Sequence, residues 1–120
     1  MIDPQLRDEV MRMHAQVCAG LADPTRILLL YSIAEQPQSV SDLVKAVGVS
    51  QPTVSKHLQN LRERRLVSAT RDGQNIIYSL TDHRIIKALD LLRMVLADTL
   101  SHQASLAEQV DLTLNIGGGK

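Results

Sequence analysis

Apolar and polar residues along this chain repeat with two different periods. From Pro4 to about Leu21, apolar side chains recur at Leu6, Val10, Met13, Val17 and Leu21. Steps of four and three are the spacing of one buried stripe on a helix. Asp23-Pro24 predicts the start of a second helix. Aspartate accepts from free N–H groups of a first turn, and proline fits that turn because its missing N–H has no helical partner there. Ile27, Leu28, Leu30, Tyr31, Ile33 and Ala34 make this helix apolar on most sides, as in a central core helix, and Glu35-Gln36-Pro37-Gln38 ends it.

Val40 to Val47 reads as a short helix with Ser41 as its cap, Leu43, Val44 and Val47 inward, and Gly48 as a left-handed stop. Ser50 is a second cap, with Pro52 in the first turn and Val54, Leu58 and Leu61 as the buried stripe of a helix reaching about Arg65. Two short helices joined by a glycine-containing turn form a helix-turn-helix. After Leu66 the period falls to two. Val67 and Ala69 alternate with Ser68 and Thr70, and Ile76, Tyr78 and Leu80 alternate with Ile77 and Ser79. Asp72-Gly73 between them predicts a hairpin, the wing.

A last helix is predicted from Thr81 or Asp82 to about Ser101, with Ile85, Leu89, Leu92, Leu96 and Leu100 on one stripe. Ile86, Leu91, Met94 and Val95 widen its apolar arc beyond what one small core needs, which predicts a partner chain. The fold expected is mainly α with a small β-hairpin, a winged helix-turn-helix whose last helix meets a partner chain. Residues 1–103 form the DNA-binding and dimerisation domain, and 104–120 a weakly ordered tail carrying Leu106, Val110, Leu112, Leu114, Ile116 and Gly117-Gly118-Gly119.

Composition narrows the function. Tyr31 and Tyr78 are the only aromatic residues of 120, so the core is aliphatic and stacking platforms for single-stranded nucleic acid are absent. Formal net charge is zero, yet between Ser50 and Gln74 five basic residues face two acidic ones, a local balance of +3 suited to phosphates. A solvated helix face would look the same. The single cysteine, Cys18, rules out an intrachain disulfide. No apolar stretch approaches the roughly 20 residues that span a bilayer, and the N-terminus lacks a signal-peptide pattern, so a cytoplasmic protein without membrane contact is expected.

Three stretches together resemble the ArsR/SmtB family of small winged-helix repressors: Leu21-Ala22-Asp23-Pro24-Thr25-Arg26; Val49-Ser50-Gln51-Pro52-Thr53-Val54-Ser55-Lys56-His57-Leu58; and Leu61-Arg62 with Leu66-Val67. The resemblance spans roughly Met11 to Leu100. It implies a homodimer, paired through first and last helices, that represses an operon until an effector lowers its affinity for double-stranded DNA.

Major-groove base edges present donors and acceptors, so a recognition helix needs short polar and amide side chains near its N-terminus. Gln51 is the best candidate for a base contact, followed by Ser55 and His57, whose spacing matches the family's Ser-x-His pattern. Ser50, Thr53, Lys56 and Arg62 are candidates for phosphate contacts, and Arg71, Gln74 and Asn75 for backbone or minor-groove contact by the wing. Gln51 and Thr53 also suit a capped first turn. No nucleophile or carboxylate constellation accompanies His57, so an enzyme is not expected. The rival reading is a winged-helix module that binds protein.

The metal-sensing patterns of the family are broken. Where arsenic- and cadmium-responsive members carry Cys-Val-Cys or Cys-Val-Gly, this chain has Ser39-Val40-Ser41. At positions matching the zinc ligands stand Asp82, Arg84, Val95 and Asp98, so imidazoles are lost and a cation intrudes. No metal and no cofactor is expected. Cys18 and His14, four apart, remain as candidates for an effector site, although Cys18 beside Val17 and Leu21 also reads as an ordinary core thiol.

Overall fold

A computed structural model describes the backbone of residues 1–118 and the side chains of residues 1–110. The chain divides into two compact units, residues 1–83 and residues 84–120. In the first, helices α1 (Pro4–Gln16), α2 (Pro24–Glu35), α3 (Val40–Val47) and α4 (Gln51–Glu63) combine with strands β1 (Gln38–Ser39), β2 (Val67–Asp72) and β3 (Asn75–Leu80). The second is helix α5 (Arg84–Gly118).

Aliphatic burial organises the first unit. Leu29, Leu30 and Ile33 of α2, Leu43 of α3, and Val54, Leu58 and Leu61 of α4 are all buried, with Leu66 and Val67 closing the core at the entry to β2. Each fully buried Leu or Val contributes about 1.5–3 kcal/mol relative to exposure. The helix-turn-helix therefore hangs on one apolar seam per helix, leaving the opposite face of α4 to solvent.

Caps set the helix starts. The Asp23 carboxylate accepts from the N–H groups of Thr25 (2.8 Å) and Arg26 (3.2 Å), so α2 begins where Asp23-Pro24 predicts. For α3 the cap is Ser39 rather than Ser41. Ser39 Oγ accepts from the Asp42 N–H at 3.3 Å, and the Asp42 carboxylate accepts from the Ser39 N–H at 3.5 Å. That reciprocal pair satisfies two orphan donors at once, which Ser41 has no carboxylate three residues on to match. Gly48, at φ +79°, ends α3 with its N–H on the Val44 carbonyl at 2.9 Å.

Three features depart from the sequence reading. The first helix stops at Gln16 and passes into a 3₁₀ turn, Cys18–Leu21, instead of running on to Leu21. Buried Gly20 lies in that turn, where a Cβ would stand 2.8 Å from Arg64 Cδ and 3.1 Å from Leu66 Cδ1. No residue of α1 is buried: Leu6, Val10, Met11 and Met13 are exposed. Second, the hairpin gains a third strand. β1 pairs antiparallel with β3, Gln38 opposite Tyr78 and Ser39 opposite Ile77, giving the order β1-β3-β2. Third, α5 starts at Arg84 and continues beyond Ser101 to Gly118, presenting exposed Leu91, Leu92, Met94, Val95, Leu96, Leu100, Leu106 and Val110. The side chains of Leu112, Leu114 and Ile116, and all of Gly119 and Lys120, lie outside the described residues. Among the described residues no single helix is long and apolar enough to cross a membrane.

The end of α4 is a Schellman-type stop. The Arg65 N–H reaches the Arg62 carbonyl (3.0 Å) and the Leu66 N–H the Leu61 carbonyl (2.9 Å), which places Arg65 at φ +62°. Glycine is the usual residue at that position.

Candidate nucleic-acid interface

Helix α4 is positioned at both ends and along one side. Ser50 Oγ accepts from the Thr53 N–H at 3.4 Å and lies 2.9 Å from Thr53 Oγ1, while Pro52 occupies the first turn. With Val54, Leu58 and Leu61 fully buried, Gln51, Ser55, Lys56, Gln59 and Arg62 stand exposed. Amide, hydroxyl and ammonium groups thus follow one another on a supported helix, the donor and acceptor set that base edges and phosphates require. Thr53 is half-buried, its hydroxyl 2.9 Å from that of the capping residue Ser50.

The wing carries the next three candidates. β2 and β3 pair in register from Val67–Leu80 to Asp72–Asn75, leaving Gly73 and Gln74 as the two-residue turn. Gly73 has φ +63°, a left-handed conformation that a side chain resists, and positive φ at the first turn residue suits the right-handed twist of the strands. Arg71, Gln74 and Asn75 are exposed at this tip.

His57 is placed differently from Ser55 and Lys56. Its side chain is 15% exposed and turned toward the start of α2, with Nδ1 3.2 Å from Arg26 Nη1 and Nε2 3.8 Å from Asp23 Oδ1. Both ring nitrogens face the protein. At 100° per residue, position 57 falls about 60° from Val54, on the edge of the buried arc, so a helical wheel carries the signal. Partial burial disfavours the Asp23 carboxylate, but the backbone N–H of Arg26, the facing His57, the Thr25 N–H and the Arg26 charge outweigh it and hold its pKa below the ordinary value.

Arg26 and Arg64 were not among the sequence candidates. The Arg26 guanidinium donates from Nε to the Gly20 carbonyl at 2.7 Å and from Nη2 to the Ala19 carbonyl at 3.2 Å. Arg64 donates to the carbonyls of Ala15 and Gln16 and to Asn60 Oδ1. Beside Arg26 opens a cleft of about 220 Å³ lined also by Lys56, His57, Gln59, Asn60 and Glu63.

The two effector candidates lie in different elements. His14 is exposed near the end of α1, whereas Cys18 is half-buried in the 3₁₀ turn beyond the break at Val17. Among the described residues no three His, Cys, Asp or Glu side chains gather as a metal site requires.

Comparison with known proteins agrees with this arrangement. Residues 23–69 match the pattern of the family described as "Bacterial regulatory protein, arsR family". The HTH-type transcriptional regulator KmtR of Mycobacterium tuberculosis is 41% identical over 83 residues, 69% of this chain and 63% of KmtR, so the chain spans less than two thirds of that relative. A probable mercury resistance operon repressor of Streptomyces lividans is 40% identical over 84 residues, 70% of this chain and 67% of the repressor. Among solved structures, the homodimeric winged helix-turn-helix DNA-binding domain of Mb0332 from Mycobacterium bovis, described as a possible ArsR-family transcriptional regulator, gives a TM-score of 0.70 at 25% identity over 84% of this chain and 93% of that one. Helix order, three-stranded sheet, exposed α4 face and sequence matches converge: the chain belongs to the arsR family of bacterial regulatory proteins.

Proposed function

We propose that the chain is a homodimeric transcriptional repressor that binds an inverted-repeat operator in the cytoplasm, acting as a regulator and not as an enzyme. One observation carries the reading: α4 buries Val54, Leu58 and Leu61 completely while Gln51, Ser55 and Lys56 stay in solvent. In this reading Gln51 and Ser55 meet base edges, and Ser50, Lys56 and Arg62 hold phosphates. Arg71, Gln74 and Asn75 at the wing reach the backbone or minor groove. Thr53 supports the capped first turn, and His57 orients the helix from behind.

Dimerisation is supported by unspent apolar surface. The exposed Leu6, Val10, Met11 and Met13 of α1 and the run from Leu91 to Leu100 on α5 are more than scattered surface hydrophobics, and a second copy is the partner they suit. The homodimeric state of the Mb0332 domain points the same way. Two α4 helices related by a twofold axis read half-sites about 34 Å apart. Residues 1–103 suffice for this activity in the proposed scheme, and 104–120 are an appendage to it.

The test is binding of the full chain to the promoter of its own operon and to a scrambled duplex at several salt concentrations. A specific regulator prefers the promoter by at least about 1000-fold at fixed salt. Equal affinities for both duplexes, or no binding, would refute the repressor reading.

A further inference from the structure

The contacts of Arg26 reach further than the DNA-reading face itself. Its guanidinium has five N–H donors and no acceptor, so the ring atom opposite Nη1, His57 Nδ1, must be the acceptor of that 3.2 Å hydrogen bond. The neutral imidazole then carries its proton on Nε2, the nitrogen 3.8 Å from Asp23 Oδ1. Asp23 in turn holds the first N–H groups of α2, including that of Arg26 itself. The circuit closes: cap, arginine and imidazole each fix the next.

Arg26 also places two further donors on Gly20 and Ala19, carbonyls of the 3₁₀ turn between α1 and α2. Arg64, just past the end of α4, takes the Ala15 and Gln16 carbonyls a few residues earlier, and Gln16 Nε2 donates back to the Arg64 carbonyl at 3.3 Å. Segment 15–20 is therefore pinned to α4 twice, at His57 by way of Arg26 and at the C-terminus by Arg64. Gly20, with no Cβ, permits the close approach of Arg64 and Leu66. His57 directly follows exposed Ser55 and Lys56 on α4, so the direction of its ring bears on the rotation at which those groups meet a duplex.

We infer that Arg26 is a positioning residue for DNA recognition: acting through His57, it fixes the rotation of α4 without touching DNA itself. This rests on the repressor reading above. The rival role for a half-buried arginine beside exposed Lys56 is a direct phosphate contact, and its three hydrogen bonds within the protein argue against that.

The experiment measures promoter affinity for wild type, Arg26→Lys, His57→Leu, His57→Asn and the Arg26→Lys/His57→Leu double variant. Each is titrated across salt concentrations after its folding is checked by circular dichroism. Lysine keeps the charge but lacks the fork; leucine removes the acceptor; the asparagine carbonyl stands where Nδ1 stands. Arg26→Lys and His57→Leu should each weaken binding about tenfold, the double variant no more than either. His57→Asn should stay within about threefold of wild type, and the slope of log affinity against log salt should be the same throughout. Nitrogen-15 NMR of the free wild-type protein should find His57 as the Nε2–H tautomer. Multiplicative losses, a slope smaller by about one in Arg26→Lys or His57→Leu, an Asn variant as weak as the Leu variant, or an Nδ1–H tautomer would each overturn the inference. If Arg26→Lys fails to fold, the two His57 variants and the tautomer decide. Failure of wild type to prefer its promoter sinks the repressor reading, whereas the tautomer judges the Arg26–His57 contact in either event.

Discussion

Arg65 offers a sharp test of the geometry that ends the recognition helix. It adopts φ +62°, alone among the described non-glycine residues in that region, because the Schellman-type stop requires a left-handed residue there. A left-handed backbone costs an L-residue about 1–2 kcal/mol through the clash of Cβ with the following carbonyl. Glycine escapes that clash but gives up about 0.5–1 kcal/mol more chain entropy on folding. The difference predicts that Arg65→Gly stabilises the protein by about 0.5–1 kcal/mol. Little opposes this, since the side chain is exposed and the bonds made by Arg65 are those of its backbone. Its N–H goes to Arg62, and its carbonyl accepts from Thr81 Oγ1 at 2.7 Å. Thermal unfolding at fixed protein concentration should show a rise of about 2–6 °C, scaled from typical unfolding entropies for a chain of this size. Arg65→Ala keeps the Cβ and should leave the midpoint near wild type. A fall in stability for Arg65→Gly, or an equal gain for Arg65→Ala, would refute the argument.

Other consequences follow from the caps and the close approaches. Ser39→Ala removes one half of the capping box on α3 and should lower stability by about 1 kcal/mol in denaturant titration, whereas Ser41→Ala should change it little. Because the folded state depresses the Asp23 pKa, the ionised carboxylate stabilises above the ordinary value of 3.8, and that contribution is lost as pH falls through the lower folded value. The stability gap between wild type and Asp23→Asn should thus be constant near neutrality and close on the acid side, as pH-dependent unfolding would record. Lys56→Ala should weaken binding to promoter and scrambled DNA alike and reduce the salt slope by about one, as measured by fluorescence anisotropy.

Much of this architecture was legible in the residues because local chemistry and tertiary packing agree. Asp23-Pro24 and Ser50 with Pro52 start helices where their side chains demand, Gly48 stops α3, and the change of period after Leu66 marks the hairpin. What escaped depends on distant partners. β1 is two residues long, too short for alternation to register, and exists because Gln38 and Ser39 meet Tyr78 and Ile77. Pro37 contributes by disfavouring helix at Gln36, whose backbone is extended. The break at Val17 sits inside an unbroken apolar period, and the turn beyond it is held by Arg26 and Arg64 from elsewhere in the chain. Periodicity reports which side chains are apolar, not which carbonyls an arginine will claim.

At the candidate interface, the exposed Gln51, Ser55 and Lys56 stand where the sequence places them, while His57 shows the limit of reading polarity as exposure. An imidazole is small and amphipathic enough to line the edge of a buried seam once both nitrogens find partners. Arg26 lay within a stretch that carries the family likeness, yet its role emerges only when the 3₁₀ turn and α4 are seen on either side of it.

The most direct test asks whether one amide on α4 reads a base. Randomised-duplex selection with wild type and Gln51→Ala should return inverted repeats that differ at one symmetry-related pair of positions. There the variant loses about 1–3 kcal/mol of discrimination and keeps the rest of the consensus. An unchanged consensus for Gln51→Ala, with equal affinity, would contradict the claim that this exposed face specifies the operator.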